Sequence, residues 1–328
     1  MGSSSLSRRD FMRVTAALGG LLAVGAGAGC ATQSRGRDGV YRGDVAITGL
    51  ASLIHSAPFL IAASEGYYEE EMLALENVQF PGGLDTVRGI GSGIGFGTSA
   101  TIPVFIAVER GLDVKAFGNV YTAASVDFIA PADSPINTIE DVRGRTIGVS
   151  SPGSNSTDFA EKTLRLAGLT PGVDVELLSV GSASDSWTVA SQGVVDVAWT
   201  ASPLSERIIA ETGAKVIWRS RDYVQDWSDT CLCATTPFIE KNRDVLAGWM
   251  RAVGRGIEMI DTDLERAAEI YGRAIKYKPE IALAALENSR GFFSLDFARP
   301  QLEAVVASGV EAGRLGGKVD IDAVVVEL

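Results

Sequence analysis

The sequence predicts an α/β protein of two similar lobes, each a mostly parallel sheet flanked by helices. Three observations carry this. Short β-branched segments alternate with amphipathic helical ones, the pattern that places helices on both faces of a parallel sheet. Helical segments are closed by glycine, at Gly66, Gly111 and Gly168, where a left-handed residue ends a helix. The pattern also repeats at an offset of 102 residues: Val45, Ile47 and Thr48 match Ile147, Val149 and Ser150, while Gly66, Gly91, Thr98 and Gly111 match Gly168, Gly193, Thr200 and Gly213.

In chain order, residues 1–30 read as a targeting segment and stand outside the fold. Arg8-Arg9, then Phe11-Met12 and a Gly/Ala-rich apolar stretch from Val14 to Gly29, resemble a twin-arginine export signal. The stretch is short and weakly apolar for a membrane span, which needs roughly 20 strongly apolar residues. Gly27-Ala28-Gly29-Cys30 resembles a lipoprotein cleavage box with Cys30 as the lipidated residue; cleavage after Ala28 is the alternative. Strands are expected at 45–48, 94–96, 114–117, 146–150, 175–180, 194–199 and 215–219. Helices are expected at 58–65, 101–110 and 156–167, and the chain reads as almost wholly helical from Phe238 onward. In the helix at 156–167, Phe159, Leu164 and Ala167 share a face away from Asp158, Glu161, Lys162 and Arg165.

The chain has 328 residues, with 29 Lys+Arg against 41 Asp+Glu. Without the signal's three arginines and one aspartate, 26 basic residues face 40 acidic ones, which argues against nucleic-acid binding. Cys231 and Cys233, two apart in an apolar run, make no disulfide framework and read as small core residues. His55 is the only histidine, so a multi-histidine metal site is excluded, and no metal or cofactor is expected.

In open α/β sheets, ligands bind beyond the carboxyl ends of the strands. Four loops fit that place: 52–56, 97–100, 150–157 and 199–203. By the duplication the first matches the third and the second matches the fourth. The third, Ser150-Ser151-Pro152-Gly153-Ser154-Asn155-Ser156-Thr157, offers hydroxyls and unpaired first-turn N–H groups at a helix start. None of the four contains Lys or Arg. A ligand with one anionic group, or a neutral polar one, on an apolar body is therefore expected, with Trp187, Trp199 and Trp227 available to cover that body. The expected ligand contacts are His55, Thr98, Ser99, Ser151, Ser154, Asn155, Thr200 and Trp227.

The segments His55-Ser56-Ala57-Pro58-Phe59-Leu60-Ile61-Ala62 and Glu65-Gly66-Tyr67-Tyr68-Glu69-Glu70-Glu71 resemble the opening of the taurine, alkanesulfonate and nitrate binding proteins, shared with the thiamine-pyrimidine-precursor binding proteins. Residues 139–149 resemble that family's passage into its second lobe, and Phe238-Ile239-Glu240-Lys241-Asn242 its return into the first. The resemblance implies a two-lobed type II periplasmic-binding fold. It places lobe one at 43–129 plus 230–328, lobe two at 130–229, and a two-crossing hinge near Ala130–Asp133 and Ser228–Thr230. It implies a monomeric ABC-importer binding protein, in the periplasm or on the outer face of the cell membrane. Its ligand would be a small sulfonate, carboxylate or pyrimidine precursor, and its partner a membrane permease. One departure stands out: the family's strand aspartate is kept as Asp196, but its first-lobe counterpart is absent from Gly91-Ser92-Gly93-Ile94-Gly95-Phe96-Gly97. Two rival readings are a sensor module for a membrane signalling protein and a pyrimidine-precursor synthase on the same fold. The loop Ser99–Pro103 lacks the synthase's histidine, and Thr230-Cys231-Leu232-Cys233 only faintly echoes its cysteine run.

Overall fold

The structure is a computed structural model that describes residues 33–328 apart from Gly153, Gly317 and Lys318. The export signal and Cys30 lie outside the described residues. The strands are β1 (Ser34–Arg35), β2 (Tyr41–Thr48), β3 (Leu73–Phe80), β4 (Phe96–Ala100), β5 (Val114–Tyr121), β6 (Asp127–Ala130), β7 (Thr146–Val149), β8 (Glu176–Ser179), β9 (Val197–Thr200), β10 (Lys215–Arg219) and β11 (Thr230–Thr235).

They form two sheets on one plan. The first runs β3-β2-β4-β11-β5, with β1 also against β2; the second runs β8-β7-β9-β6-β10. Read 102 positions on, β2, β3, β4 and β5 become β7, β8, β9 and β10, so the internal repeat is a repeat of topology. The central strands pair in parallel. The sheets are nevertheless mixed. β11 lies antiparallel between β4 and β5, and β6 lies antiparallel between β9 and β10. Each of these strands carries the chain into a sheet directly after it leaves the other. Read 102 positions on, β6 falls on the start of β11, so the two exchanged strands correspond as well; what the repeat does not reveal is that each joins the other half's sheet.

Two further differences have simple causes. β3, Leu-Ala-Leu-Glu-Asn-Val-Gln-Phe, is an outer strand, half exposed along its length, and its polar residues mask its strand character. The first crossing falls at residues 122–126, not near Ala130–Asp133, because Asp127–Ala130 already pairs within the second sheet. The second crossing, at 224–229, abuts β11.

The C-terminal part is helical as expected: Arg243–Thr262, Leu264–Ile275, Pro279–Ser289 and Arg299–Glu311. Trp249 fixes the first of these to the first sheet. Its ring centroid lies 5.5 Å from Phe59, 5.1 Å from Phe96 and 6.3 Å from Phe117. In the second sheet, Phe128 stacks on Trp218 at 4.1 Å. Burying such rings supplies much of the apolar driving force. Cys231 and Cys233 are fully buried on β11, and burial pushes the Cys231 thiol up to about 12, as suits small core residues. Asp196 accepts the Thr146 N–H at 2.9 Å and so ties the start of β7 to β9, a structural role. Among the described residues no helix is long and apolar enough to cross a membrane.

Candidate functional site

A cavity of about 440 Å³ opens where the carboxyl ends of β2, β4, β7 and β9 meet. All four expected loops reach it. The first sheet supplies Thr48, Leu53, His55 and Ala100, and the second supplies Ser150, Ser154, Asn155, Ser156, Trp199 and Ala201. The two crossings add Ser125 and Val126 on one strand of chain and Asp229 on the other, with Thr230 at the start of β11.

Each loop holds its shape by a local bond. After β2, His55 turns back so that its Nε2–H donates to the Thr48 carbonyl at 2.9 Å. A carbonyl only accepts, so Nδ1 carries the lone pair, and it sits 3.1 Å from the Thr230 hydroxyl. Burial pushes the imidazole down to about 4, partly opposed by the Thr48 bond, so the ring is neutral. After β7, Ser156 Oγ accepts the Ser150 N–H at 2.8 Å. Ser154 is extended and caps the helix Asn155–Leu166, accepting the Thr157 N–H at 3.4 Å. Thr157 Oγ1 donates to the Ser151 carbonyl at 2.7 Å. The first-turn N–H groups of Asn155 and Ser156 have no intrahelical acceptor.

The expected ligand residues divide into two groups. His55, Ser154 and Asn155 line the cavity. The others stand behind or beside its wall. Thr98 is buried, and its Oγ1 accepts the Thr48 N–H at 3.2 Å. Ser99 is buried with its hydroxyl 3.1 Å from the Gly83 carbonyl. Thr200 is buried within β9, and Ser151 is exposed. Trp227 packs edge-on to Phe159 at 5.3 Å, with the Lys162 ammonium 5.1 Å from its ring centre. Trp199 is the tryptophan on the cavity wall, its Nε1–H donating to the Gly181 carbonyl at 3.3 Å.

Three features of the wall were not anticipated. The loop Pro81-Gly82-Gly83-Leu84-Asp85 follows the unforeseen β3. Arg314 arrives from beyond the helix Arg299–Glu311 and pairs with Asp158, donating also to the Ser154 carbonyl at 3.2 Å. A lone arginine far from every strand end carries no signal in sequence. Asp229 lies at the second crossing, 4% exposed. Ser125 Oγ donates to it at 3.2 Å, and the Thr230 hydroxyl lies 3.2 Å from its other oxygen. Burial pushes the Asp229 carboxyl up to about 6 against the pull of these hydroxyls, the Ser125 N–H and the Trp227 side chain. The sequence places this residue near a hinge but assigns it no role. Among the described residues no group of three or more His, Cys, Asp or Glu is placed to hold a metal ion.

A family model described as NMT1/THI5 like matches residues 54–267. The riboflavin-binding protein RibY of Chloroflexus aurantiacus is 26% identical over 271 residues, covering 80% of this chain and 74% of that protein. A 4-amino-5-hydroxymethyl-2-methylpyrimidine phosphate synthase of Schizosaccharomyces pombe is 30% identical over 92 residues, covering 28% of this chain and 27% of the synthase. The periplasmic aliphatic sulphonate binding protein SsuA of Escherichia coli superposes with a TM-score of 0.74 at 19% identity, covering 88% of this chain and 93% of SsuA. The fold is that of the periplasmic binding proteins.

Proposed function

We propose that this chain, which belongs to the NMT1/THI5-like family, is an exported solute-binding protein that closes over a small organic molecule and hands it to an ABC-type importer. One observation carries the reading: both sheets aim the carboxyl ends of parallel strands at one shared cavity. Its volume falls within the range of small-molecule sites, roughly 300–1,000 Å³. The likeness to RibY and SsuA, both binding proteins, supports it. So does His55, which has both ring nitrogens engaged and is no free base for catalysis.

In this reading lobe one is roughly 43–129 plus 230–328 and lobe two roughly 130–229, with the first boundary moved back to the crossing at 122–126. The two crossings form a hinge of the kind that closes around ligands. Contacts across the cleft describe a closed state. The Ile54 N–H donates to the Ser202 carbonyl at 3.0 Å, Asn288 Nδ2 donates to Glu206 at 3.0 Å, and Arg314 meets Asp158. His55, Ser154 and Asn155 contact the ligand directly; Thr98, Ser99, Ser151, Thr200 and Trp227 hold the loops that do. The ligand has an apolar body against Leu53, Ile102, Ile106, Val126 and Trp199, and a polar edge. A sulfonate, a carboxylate and a pyrimidine precursor all fit that outline. Residues 1–30 direct twin-arginine export, Cys30 carries a lipid anchor, and the protein works as a monomer beside its permease.

Native mass spectrometry of the purified protein tests the reading directly, by the mass of a co-purified small molecule. Small-angle scattering then compares the emptied and reloaded forms. Loading is expected to reduce the radius of gyration, and identical radii would remove the hinge. A molecule recovered unchanged after denaturation marks a receptor; one consumed in the site marks an enzyme related to the synthase. Capture of a signalling protein instead of a permease would favour the sensor reading.

A further inference from the structure

A polar clasp joins the two lobes beside the hinge, apart from the ligand cavity. The helix Leu204–Thr212 follows β9 in the second lobe and carries Ser205 and Glu206; the helix Pro279–Ser289 carries Asn288 in the first. Asn288 Nδ2 donates to Glu206 Oε1 at 3.0 Å across the cleft, and the Ser202 hydroxyl donates to the same oxygen at 2.6 Å. Beside this contact the Ile54 N–H meets the Ser202 carbonyl, and the Arg207 guanidinium lies 4.9 Å from the Tyr277 ring centre. Asp127, which opens β6 directly after the first crossing, joins the cluster through Ser205. Asp127, Ser205 and Glu206 are buried, and none of Asp127, Ser202, Ser205, Glu206 and Asn288 lines the cavity.

The Ser205 hydroxyl cannot serve two carboxylates at once. Its Oγ lies 3.0 Å from Asp127 Oδ2 and 3.0 Å from Glu206 Oε2, with one proton to give. With both carboxyls ionised, one of those oxygens faces a hydroxyl lone pair. With a proton on either carboxyl, its O–H donates to Ser205 Oγ and Ser205 donates to the other. The charges around the pair are uneven. Asp127 has Arg221 at 3.4 Å and Arg219 at 3.8 Å, while Glu206 is bonded by the neutral Ser202, Ser205 and Asn288. Arg221 is itself covered from the first lobe, its guanidinium 5.8 Å from the Phe292 ring centre. Tyr121 and Tyr271 also feel the pair, and burial pushes both phenols up, so they stay neutral. Two carboxyls in one buried site tend to hold a proton between them. Burial pushes Asp127 up to about 6, with Arg221 opposing and the Glu206 charge adding to it.

We infer that closing the lobes takes up a proton: Asp127 and Glu206 share it across Ser205 when Asn288 seats on Glu206, and opening the cleft releases it. Opening draws the helix Pro279–Ser289 off Glu206 and lets water reach both carboxyls, which then ionise in the ordinary carboxylate range. A group held higher in the closed form than in the open one favours closure while protonated. Closure is therefore favoured at low pH, and that preference is lost as pH rises through about 6. The protein grips more firmly in acidic surroundings than in alkaline ones. Because no clasp residue lines the cavity, this control does not depend on the charge of the ligand. The inference rests on the reading of the chain as two hinged lobes and adds a regulation to it.

Spin-label distance measurements on the full chain test this. Labels go on Leu166→Cys and Val310→Cys, exposed positions of one lobe each, in a Cys30→Ser background; Cys231 and Cys233 are buried and take no label. Protein as purified and emptied protein are compared at pH 8 and pH 5. With Asp127 near 6 closed and about 4 open, the ratio of closed to open emptied protein should rise about tenfold from pH 8 to pH 5. Glu206→Gln, whose amide N–H donates to Ser205 as a protonated carboxyl would, should give at pH 8 the distances of the wild type at pH 5 and remove the pH dependence. Asn288→Ala should also remove it, by leaving the emptied protein open at both values. Wild-type distances that do not move with pH, or a Glu206→Gln variant that still follows pH, overturn the proton-linked clasp. Should Glu206→Gln fail to fold, the wild-type comparison and Asn288→Ala carry the test. If purified and emptied protein differ in distance while pH has no effect, the clasp alone fails. If they share one distance at every pH, the hinge reading fails and the inference with it.

Discussion

Asp127 and Asp229 stand at equivalent places in the two halves of the molecule. Each lies where the chain arrives from the other sheet, Asp127 opening β6 and Asp229 just ahead of β11. Both are buried, and burial pushes both carboxyls up to about 6. Their partners differ. Asp127 has Arg221 at 3.4 Å and Arg219 at 3.8 Å, the Ser205 hydroxyl at 3.0 Å, and the Glu206 carboxyl beside it. Asp229 has only neutral donors, the Ser125 and Thr230 hydroxyls, the Ser125 N–H and the Trp227 side chain, and it lies on the cavity wall. The same position in the repeat thus has two settings: one carboxyl is balanced by arginines, and the other by neutral donors on a cavity wall.

The largest expected effect separates them by charge. Arg221→Gln leaves the Asp127 carboxylate buried beside the Glu206 carboxyl with its closest cation gone. Unfolding free energy at pH 8 should fall by about 3–5 kcal/mol, the usual cost of breaking a buried pair from one side. The sign with pH follows from the raised position of Asp127. A carboxyl held higher in the folded than in the unfolded state stabilises while protonated, and loses that contribution as pH rises from about 4 through 6. At pH 5 Asp127 is largely protonated, so the loss should be smaller there. Denaturant titrations at both values check it; equal losses would show that the charge pair is not the cause.

A second comparison concerns the parallel pairing at the heart of each sheet. Gly97 faces Ala46 across β4 and β2, while Gly148 faces Ala198 across β7 and β9. A Cβ on Gly97 would lie 2.1 Å from the Ala46 carbonyl oxygen, which is backbone; on Gly148 it would meet the Ser186 hydroxyl at 2.8 Å. Backbone cannot yield without parting the strands, whereas a hydroxyl rotates. Gly97→Ala should destabilise by about 3 kcal/mol and Gly148→Ala by about 1 kcal/mol, read as shifts in the thermal midpoint. Similar shifts for both would mean that the two sheets are equally tight at this contact.

The smallest effect tests the closure of the loop after β7. Ser156→Ala removes the acceptor of the half-buried Ser150 N–H, for about 1 kcal/mol of stability. Ligand affinity should drop with it, because the loop carrying Asn155 loosens. A stability loss with unchanged affinity would place the loop outside the site.

Helix stops at Gly66, Gly111, Gly168 and Gly213, and the strands that flank them, are legible in the chain because they depend on local rules: a left-handed terminus and a run of β-branched residues. So is the helix cap at Ser154. Within the four loops, sequence could not tell Thr98 and Thr200, buried inside their strands, from His55 and Ser154, which face the cavity. Residue type alone does not say which side of a strand meets the ligand. β3 escaped notice because an outer strand tolerates polar residues.

The sequence by itself determined the repeated strand–loop–helix unit, the four strand-end loops and the acidic balance of the chain, since the elements follow from local residue patterns and the charge from composition. The tertiary structure decided the exchange of β6 and β11 between the sheets, the arrival of Arg314 beside Ser154, and the setting of Asp229 on the cavity wall. Those pairings join positions more than a hundred residues apart in several cases, and no local preference fixes them. They arise from the closing of one sheet's strand ends over the other's, and that closure buries Asp229 on the cavity wall.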